Sequence, residues 1–261
     1  MNGLRPSVLA SGALPSFNFG LTRHGPVVQH LALERLFRDG VRPRAVVLEV
    51  FPAALPVGIH EFDSVPAFRH TVSDVVNTVR RGEQSLHVAE DWLEARALPC
   101  YAHRFVLMSH WCPNWVAWDK RQDYAWTAGD DDGWLPAPVP RDAGHASELR
   151  TAMAGTEGAA LAAFRIDPAA DHALRASLQL CQSKGTPVAV LLMPEASWYR
   201  AFLAADGEKA LYAYASGLGV PLIDARGWCE DVDFRDGAHL IGRGVDTFSA
   251  RFGREIALMF P

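Results

Sequence analysis

The chain has 261 residues, 49% of them hydrophobic and 21% charged, enough for one large core-bearing domain or two small ones. A formal net charge of -5 without any basic run argues against a nucleic-acid binder. No apolar run approaches the ~20 residues of a membrane span. The opening Met1 to Pro6 is not followed by the apolar stretch of an export signal.

Taken in order, Leu4 to Ala13 reads as a short helix or the end of one. The short apolar piece Leu14 to Gly20 follows, ending in Asn18-Phe19-Gly20. Gly25-Pro26 opens a helix that runs to about Asp39. Val28, Leu31, Ala32 and Leu36 fall on one face, Pro26 suits the first turn, and Gly40 closes it. Ala45 to Phe51 is almost wholly apolar and stops at Pro52, the pattern of a strand buried on both faces of a parallel sheet. A helix Ala169–Lys184, ended by Gly185, leads to a second such strand, Pro187–Met193. A helix Ser197–Gly217 leads to a third, Val220–Asp224, and an amphipathic helix from about Gly244 to Leu258 ends the chain. Alternation of this kind predicts an α/β layer with right-handed crossovers.

The interval from about 53 to 168 breaks that rhythm and reads as an insertion, or cap, over the C-terminal edge of the sheet, within a single domain spanning 1–261. Ligands of open α/β sheets bind at that edge. Thr71 to Leu98 has a helical pattern broken near Gly82. Five of the eight tryptophans crowd between Trp111 and Trp134. They fit packing of the insertion or a sugar-stacking platform, and packing is the commoner use of such rings. Asp130-Asp131-Asp132 lacks the spaced ligands and terminal Glu of a calcium loop and reads as a solvated acidic turn. His103, His110 and Cys112 have no common metal-ligand spacing, so no metal is assigned. Cys100, Cys112, Cys181 and Cys229 form no C-x-x-C pair, and one or two disulfides are compatible with them but not required.

The chemistry-bearing stretch is Phe234-Arg-Asp-Gly-Ala-His-Leu240. A base that activates a serine needs a carboxylate to hold its imidazole in one tautomer, and Asp236-x-x-His239 supplies both groups from one turn. The alternative is an Asp that brackets a turn beside a surface His. Glu195 directly follows the second strand, at the crevice end of the sheet, where it would bind substrate or pair with an arginine such as Arg23. Glu49, inside an apolar strand, reads as a member of a structural ion pair.

The order of these parts resembles the SGNH (GDSL-like) hydrolase superfamily. Asn18-x-Gly20 looks like its second block, and Asp236-Gly-Ala-His239 like its fifth. Phe17 to Thr22, Leu191 to Ser197 and Asp233 to Leu240 are similar to an uncharacterised branch distantly related to polysaccharide O-acetyltransferases. The resemblance implies a three-layer α/β/α sandwich of flavodoxin-like type, with a parallel sheet and the Trp-rich insertion. It implies His239 as general base, Asp236 as its orienting carboxylate, the Gly20 N–H as an oxyanion donor and Asn18 as the residue fixing the loop of Gly20. The implied activity is that of an esterase or O-acyltransferase on an acylated carbohydrate or small ester, without metal or organic cofactor.

Two departures stand against it. The family's Gly-x-Asn-Asp block is replaced by Glu49-Val-Phe-Pro52, so a side-chain oxyanion donor worth about 3 kcal/mol of barrier is missing or supplied elsewhere. The family's serine, at the end of a first strand, has no counterpart: Ser7, Ser11 and Ser16 do not follow a buried strand. The expectation is therefore a nucleophile upstream of Met1, where an export signal or anchor would also lie, leaving the compartment open. The alternative is a non-catalytic carbohydrate-binding or scaffolding protein that has kept the fold and lost the serine.

Overall fold

A computed structural model describes residues 3–9, 15–18, 25–56, 71–80, 85–102, 104–116, 130–134, 136–137, 139–140 and 142–261. The chain forms two compact units, one of Met1–Gly58 with Asp130–Pro261 and one of Ile59–Gly129. The predicted interruption thus returns to the main unit near Asp130 rather than near Pro168. The residues after Asp130 include a helix over Ala143–Met153, whose N-cap Asp142 accepts from the His145 N–H at 2.9 Å.

In chain order the main unit holds α1 (Pro6–Leu9), α2 (Pro26–Arg38) and β1 (Val46–Glu49). The second unit holds α3 (Val72–Arg80), α4 (Ser85–Ala97), α5 (Pro99–Ala102) and α6 (Arg104–Trp111). The main unit resumes with α7 (Ala143–Met153), a π-helical turn (Ala154–Gly158), α8 (Ala159–Ala162), α9 (Pro168–Ser183) and β2 (Val188–Leu192). It ends with α10 (Ser197–Arg200), α11 (Ala205–Ser216), β3 (Leu222–Asp224) and α12 (Arg243–Met259). The helix predicted over Ser197–Gly217 is two helices: Phe202 and Leu203 lie in the break, and Leu203 is buried in the core.

The three strands form a parallel sheet in the order β1-β2-β3, with Glu49 opposite Leu191 and Leu192 opposite Asp224. The protein is therefore of the α/β class. All five residues of β2 are buried, as its unbroken apolar run predicts for a central parallel strand. The Val50 N–H donates to the Leu191 carbonyl at 2.8 Å, carrying the pairing one residue past β1.

Helices α2 and α9 pack on each other, and Val27, Val28 and Leu31 of α2 and Ala170, Ala173 and Leu174 of α9 are buried. Asp167 caps α9 by accepting from the Ala169 N–H at 2.8 Å, and Pro168 occupies its first turn. Helix α1 rests on α12: a Cβ on Gly253 would stand 2.6 Å from the Leu9 carbonyl oxygen, so only glycine lets the backbones approach. The Arg5 N–H donates to Ser249 Oγ at 2.9 Å along the same contact.

The four cysteines are free, so neither of the disulfides that the sequence left open is formed. Among the described residues no helix is long and apolar enough to cross a membrane.

Candidate functional site

The turn that follows β3 is built by its own backbone. Phe234 and Leu240 form an antiparallel bridge, and both side chains are buried. The Arg235 N–H donates to the His239 carbonyl at 2.9 Å, and the Ile241 N–H to the Asp233 carbonyl at 2.9 Å. Gly237 lies between them at φ +93°, where a side chain is strained. Its carbonyl accepts from the Ala196 N–H at 2.8 Å, which ties the turn to the segment leaving β2. The Asp-x-x-His spacing is thus clamped to the carboxyl end of the sheet.

Within the turn, Asp236 Oδ1 lies 2.8 Å from His239 Nδ1 and also accepts from the His239 backbone N–H at 3.1 Å. Asp236 is buried, while the His239 side chain keeps 40% of its surface exposed. An ionised carboxylate only accepts, so Nδ1 carries the proton and the Nε2 lone pair of the neutral imidazole remains available. Burial alone would lower the imidazole's pKa, but the hydrogen bond and charge of Asp236 outweigh it and raise it. Burial would likewise raise the Asp236 carboxyl, yet His239, with a smaller contribution from Arg235, holds it below the usual carboxylate range.

Further side chains complete the neighbourhood. Tyr199 is fully buried and stacks on Phe51 with ring centroids 6.5 Å apart. Trp198 meets Tyr199 and Phe202 edge-on, and Arg150 lies over the Trp198 ring at 5.3 Å. The Tyr199 hydroxyl donates to Glu157 Oε2. Glu157 from the π-helical turn and Glu49 from β1 both couple electrostatically to His239. Sequence reading missed Glu157 and Tyr199 as site residues. A π turn, frequent at functional sites, leaves no periodic signal in a polar segment such as Ala154-Gly-Thr-Glu-Gly158.

The remaining expected residues separate. The Glu195 side chain is 2% exposed, and its Oε2 accepts from Arg226 Nε at 2.7 Å. The arginine pair is the alternative that forms, with Arg226 as partner. Burial would lower the pKa of that guanidinium, but the Glu195 carboxylate raises it and keeps it charged. Glu49 has no ion-pair partner among the described residues. Burial pushes its carboxyl up, against the pull of neighbouring positive charge that includes His239.

Asn18 is anchored, its Nδ2 donating to the Leu4 carbonyl at 2.7 Å and its N–H to the Asp132 carbonyl at 2.8 Å. Gly20 lies outside the described residues, as do Arg23, Trp118, Trp126 and His103. Asp130 Oδ1 accepts from the Asp132 and Trp134 N–H groups at 3.1 and 2.8 Å, which closes the acidic turn on itself. Trp134 lies beneath Arg5 at 4.6 Å, whereas Trp111 and Trp115 are exposed. No group of three metal-ligating side chains occurs among the described residues.

A Ser-His-Glu array lies between α2 and α9. His30 Nδ1 is 3.1 Å from Ser177 Oγ, and His30 Nε2 is 3.3 Å from Glu34 Oε1. His30 is 3% exposed and Ser177 1%, and the Ser177 hydroxyl donates to the Ala173 carbonyl at 2.9 Å. With its proton committed and no access for a substrate, this serine serves the helix contact. Among the described residues, no hydroxyl or thiol is hydrogen-bonded to His239.

Comparison with family models, with curated proteins and with solved structures gives no match to this chain.

Proposed function

We propose that the chain carries the acid–base half of an SGNH-type esterase or O-acyltransferase acting on an acylated carbohydrate or small ester, on a three-layer α/β/α sandwich. The observation that carries this reading is the 2.8 Å contact between Asp236 and His239 Nδ1, placed after β3 at the carboxyl end of a parallel sheet. His239 Nε2 takes the proton of an attacking hydroxyl and returns it to the leaving alcohol. Asp236 keeps the tautomer and stabilises the imidazolium. The attacking hydroxyl comes from outside the described residues, and Asn18 holds the segment that leads to Gly20, the proposed oxyanion donor.

The test is turnover of p-nitrophenyl acetate and of an acetylated oligosaccharide by the protein expressed from its complete native reading frame, alongside His239→Ala. The expected result is turnover by the parent and none by the variant, with unchanged thermal unfolding. Equal turnover in both refutes the assignment of the base.

A second reading, a carbohydrate-binding or scaffolding protein without catalysis, draws on the lack of a hydroxyl bonded to His239 among the described residues. Saturable sugar binding with no ester turnover in the same preparation selects it.

A further inference from the structure

Arg235 opens the turn that carries His239. Phe234 and Leu240 are bridged with their side chains buried, and the next opposed pair, Arg235 and His239, is joined by the Arg235 N–H donating to the His239 carbonyl at 2.9 Å. Successive residues of an antiparallel pair alternate between its faces, and opposed residues share a face. The guanidinium and the imidazole therefore leave the turn on one side, away from the buried Phe234 and Leu240. One carboxylate also links them: Asp236 Oδ1 lies 2.8 Å from His239 Nδ1, and Asp236 Oδ2 lies 3.9 Å from Arg235 Nε.

The Arg235 guanidinium is left with unused donors. Its side chain is 20% exposed, and its Nε is buried without a hydrogen bond. Asp236 is its sole ion-pair partner among the described residues, and 3.9 Å is beyond hydrogen-bond reach. No described residue accepts a hydrogen bond from this guanidinium. Neighbouring arginines differ. Arg226 meets Glu195 at 2.7 Å and Glu208 at 3.1 Å, and Arg200 donates to the carbonyls of Glu195 and Arg226 at 2.8 and 2.6 Å. A guanidinium has several N–H donors and no acceptor, and donors kept from water without a partner cost free energy until an acceptor arrives.

We propose that Arg235 is a substrate-binding residue for an anion, and that the ester taken by this site bears a carboxylate. As an ester site, it rests on the reading of His239 as the general base. The planar fork of a guanidinium matches the two oxygens of a carboxylate. A single cation beside Asp236 suits a single negative charge, whereas a phosphate dianion would meet that carboxylate with only one cation to offset it. Asp236 makes both of its hydrogen bonds to His239 through Oδ1, so the incoming carboxylate takes donors that Asp236 does not use. The ester is then held on the face that His239 shares.

The experiment is an NMR titration of the His239 ring resonance in the full-frame protein, assigned by its disappearance in His239→Gln. The probes are sodium propionate and its neutral isostere propionamide, with sodium chloride matched throughout. Propionate is expected to move the resonance saturably, at concentrations about 10- to 100-fold lower than propionamide requires. Arg235→Gln is expected to abolish that difference, and Arg235→Lys, which keeps the charge without the fork, to restore part of it. Should Arg235→Gln fail to fold, Arg235→Met, which keeps the stem and loses the donors, decides on the same readout. Equal responses to the two probes, no response to either, or a preference unchanged in the folded charge-free variant overturns the proposal.

The same probes separate this outcome from that of the function. As inhibitors of p-nitrophenyl acetate turnover, propionate is expected to act about 10- to 100-fold more strongly than propionamide, with the difference lost in Arg235→Gln. Turnover without that preference refutes the carboxylate site alone. A preference in the titration with no ester turnover refutes the esterase reading and leaves the Arg235 site standing.

Discussion

Asp236 binds His239 twice with one oxygen, accepting from the ring Nδ1 at 2.8 Å and from the backbone N–H at 3.1 Å. The backbone bond fixes where the carboxylate sits, and the ring bond fixes which nitrogen is left to act. Asp236→Asn keeps the shape but allows the amide to donate to Nδ1, which favours the wrong tautomer. If the esterase reading holds, kcat falls about 10⁴-fold, the typical effect of this change in a serine triad. A stopped assay on the full-frame protein checks it.

The same pair gives stability a bounded pH window. The folded pKa of His239 is raised above the ordinary 6.5, so its contribution is complete below that value and is lost as pH rises through the folded midpoint. The folded pKa of Asp236 is depressed below 3.8, so its contribution is present above that value and is lost as pH falls through the folded midpoint. The stability difference between the parent and Asp236→Asn is expected to be largest near pH 5 to 6 and to narrow on both sides. Urea unfolding at a series of pH values measures it, and a flat difference contradicts the pairing.

Gly237→Ala tests whether the turn tolerates a side chain. It meets a positive φ of +93° together with approaches of 2.7 Å to Trp198 and 2.9 Å to Tyr199. Backbone strain of about 1–3 kcal/mol adds to overpacking of about 1–3 kcal/mol, so a loss of about 2–6 kcal/mol is expected in denaturant unfolding. The residual folded protein is expected to have a displaced His239 resonance, because the turn carries the ring.

Arg226→Ala leaves the 2%-exposed Glu195 without its cation, and Glu195 Oε1 is already a buried oxygen without a hydrogen bond. The expected loss is about 3–5 kcal/mol of unfolding free energy. Replacing both residues, Glu195→Leu with Arg226→Met, is expected to recover most of it. An equally large loss in the double variant would assign the effect to packing of the arginine stem.

Glu49→Gln has a pH-dependent sign. The folded carboxyl titrates above the ordinary 4.5, so just above pH 4.5 the folded state holds more protons than the unfolded one. Stability conferred by the protonated form is lost as pH rises through the folded midpoint. Glu49→Gln is therefore expected to gain on the parent as pH rises above 4.5, with the two converging below it. Parallel unfolding midpoints across that range would contradict a raised Glu49.

What the sequence determined by itself was local or periodic. The apolar run Pro187–Met193 specifies a parallel strand, because a strand buried on both faces cannot alternate; Ala45–Phe51, which holds Glu49, also forms a strand, but of Val46–Glu49 only Leu48 is buried. Asp236 and His239 were legible as a pair because one turn holds both, so chain spacing almost dictates their contact. The tertiary structure decided what depends on residues distant along the chain. In the sequence Glu195 stands at the crevice end of the second strand, yet Arg226, 31 residues on, pairs with it in the interior, since a buried carboxylate beside a guanidinium is far cheaper than a lone one. Glu157, on a π turn, meets Tyr199 42 residues away, and no periodicity announces that contact. The break at Phe202–Leu203 was hidden for the same reason: helix propensity runs through it, and burial of Leu203 in the core overrides propensity.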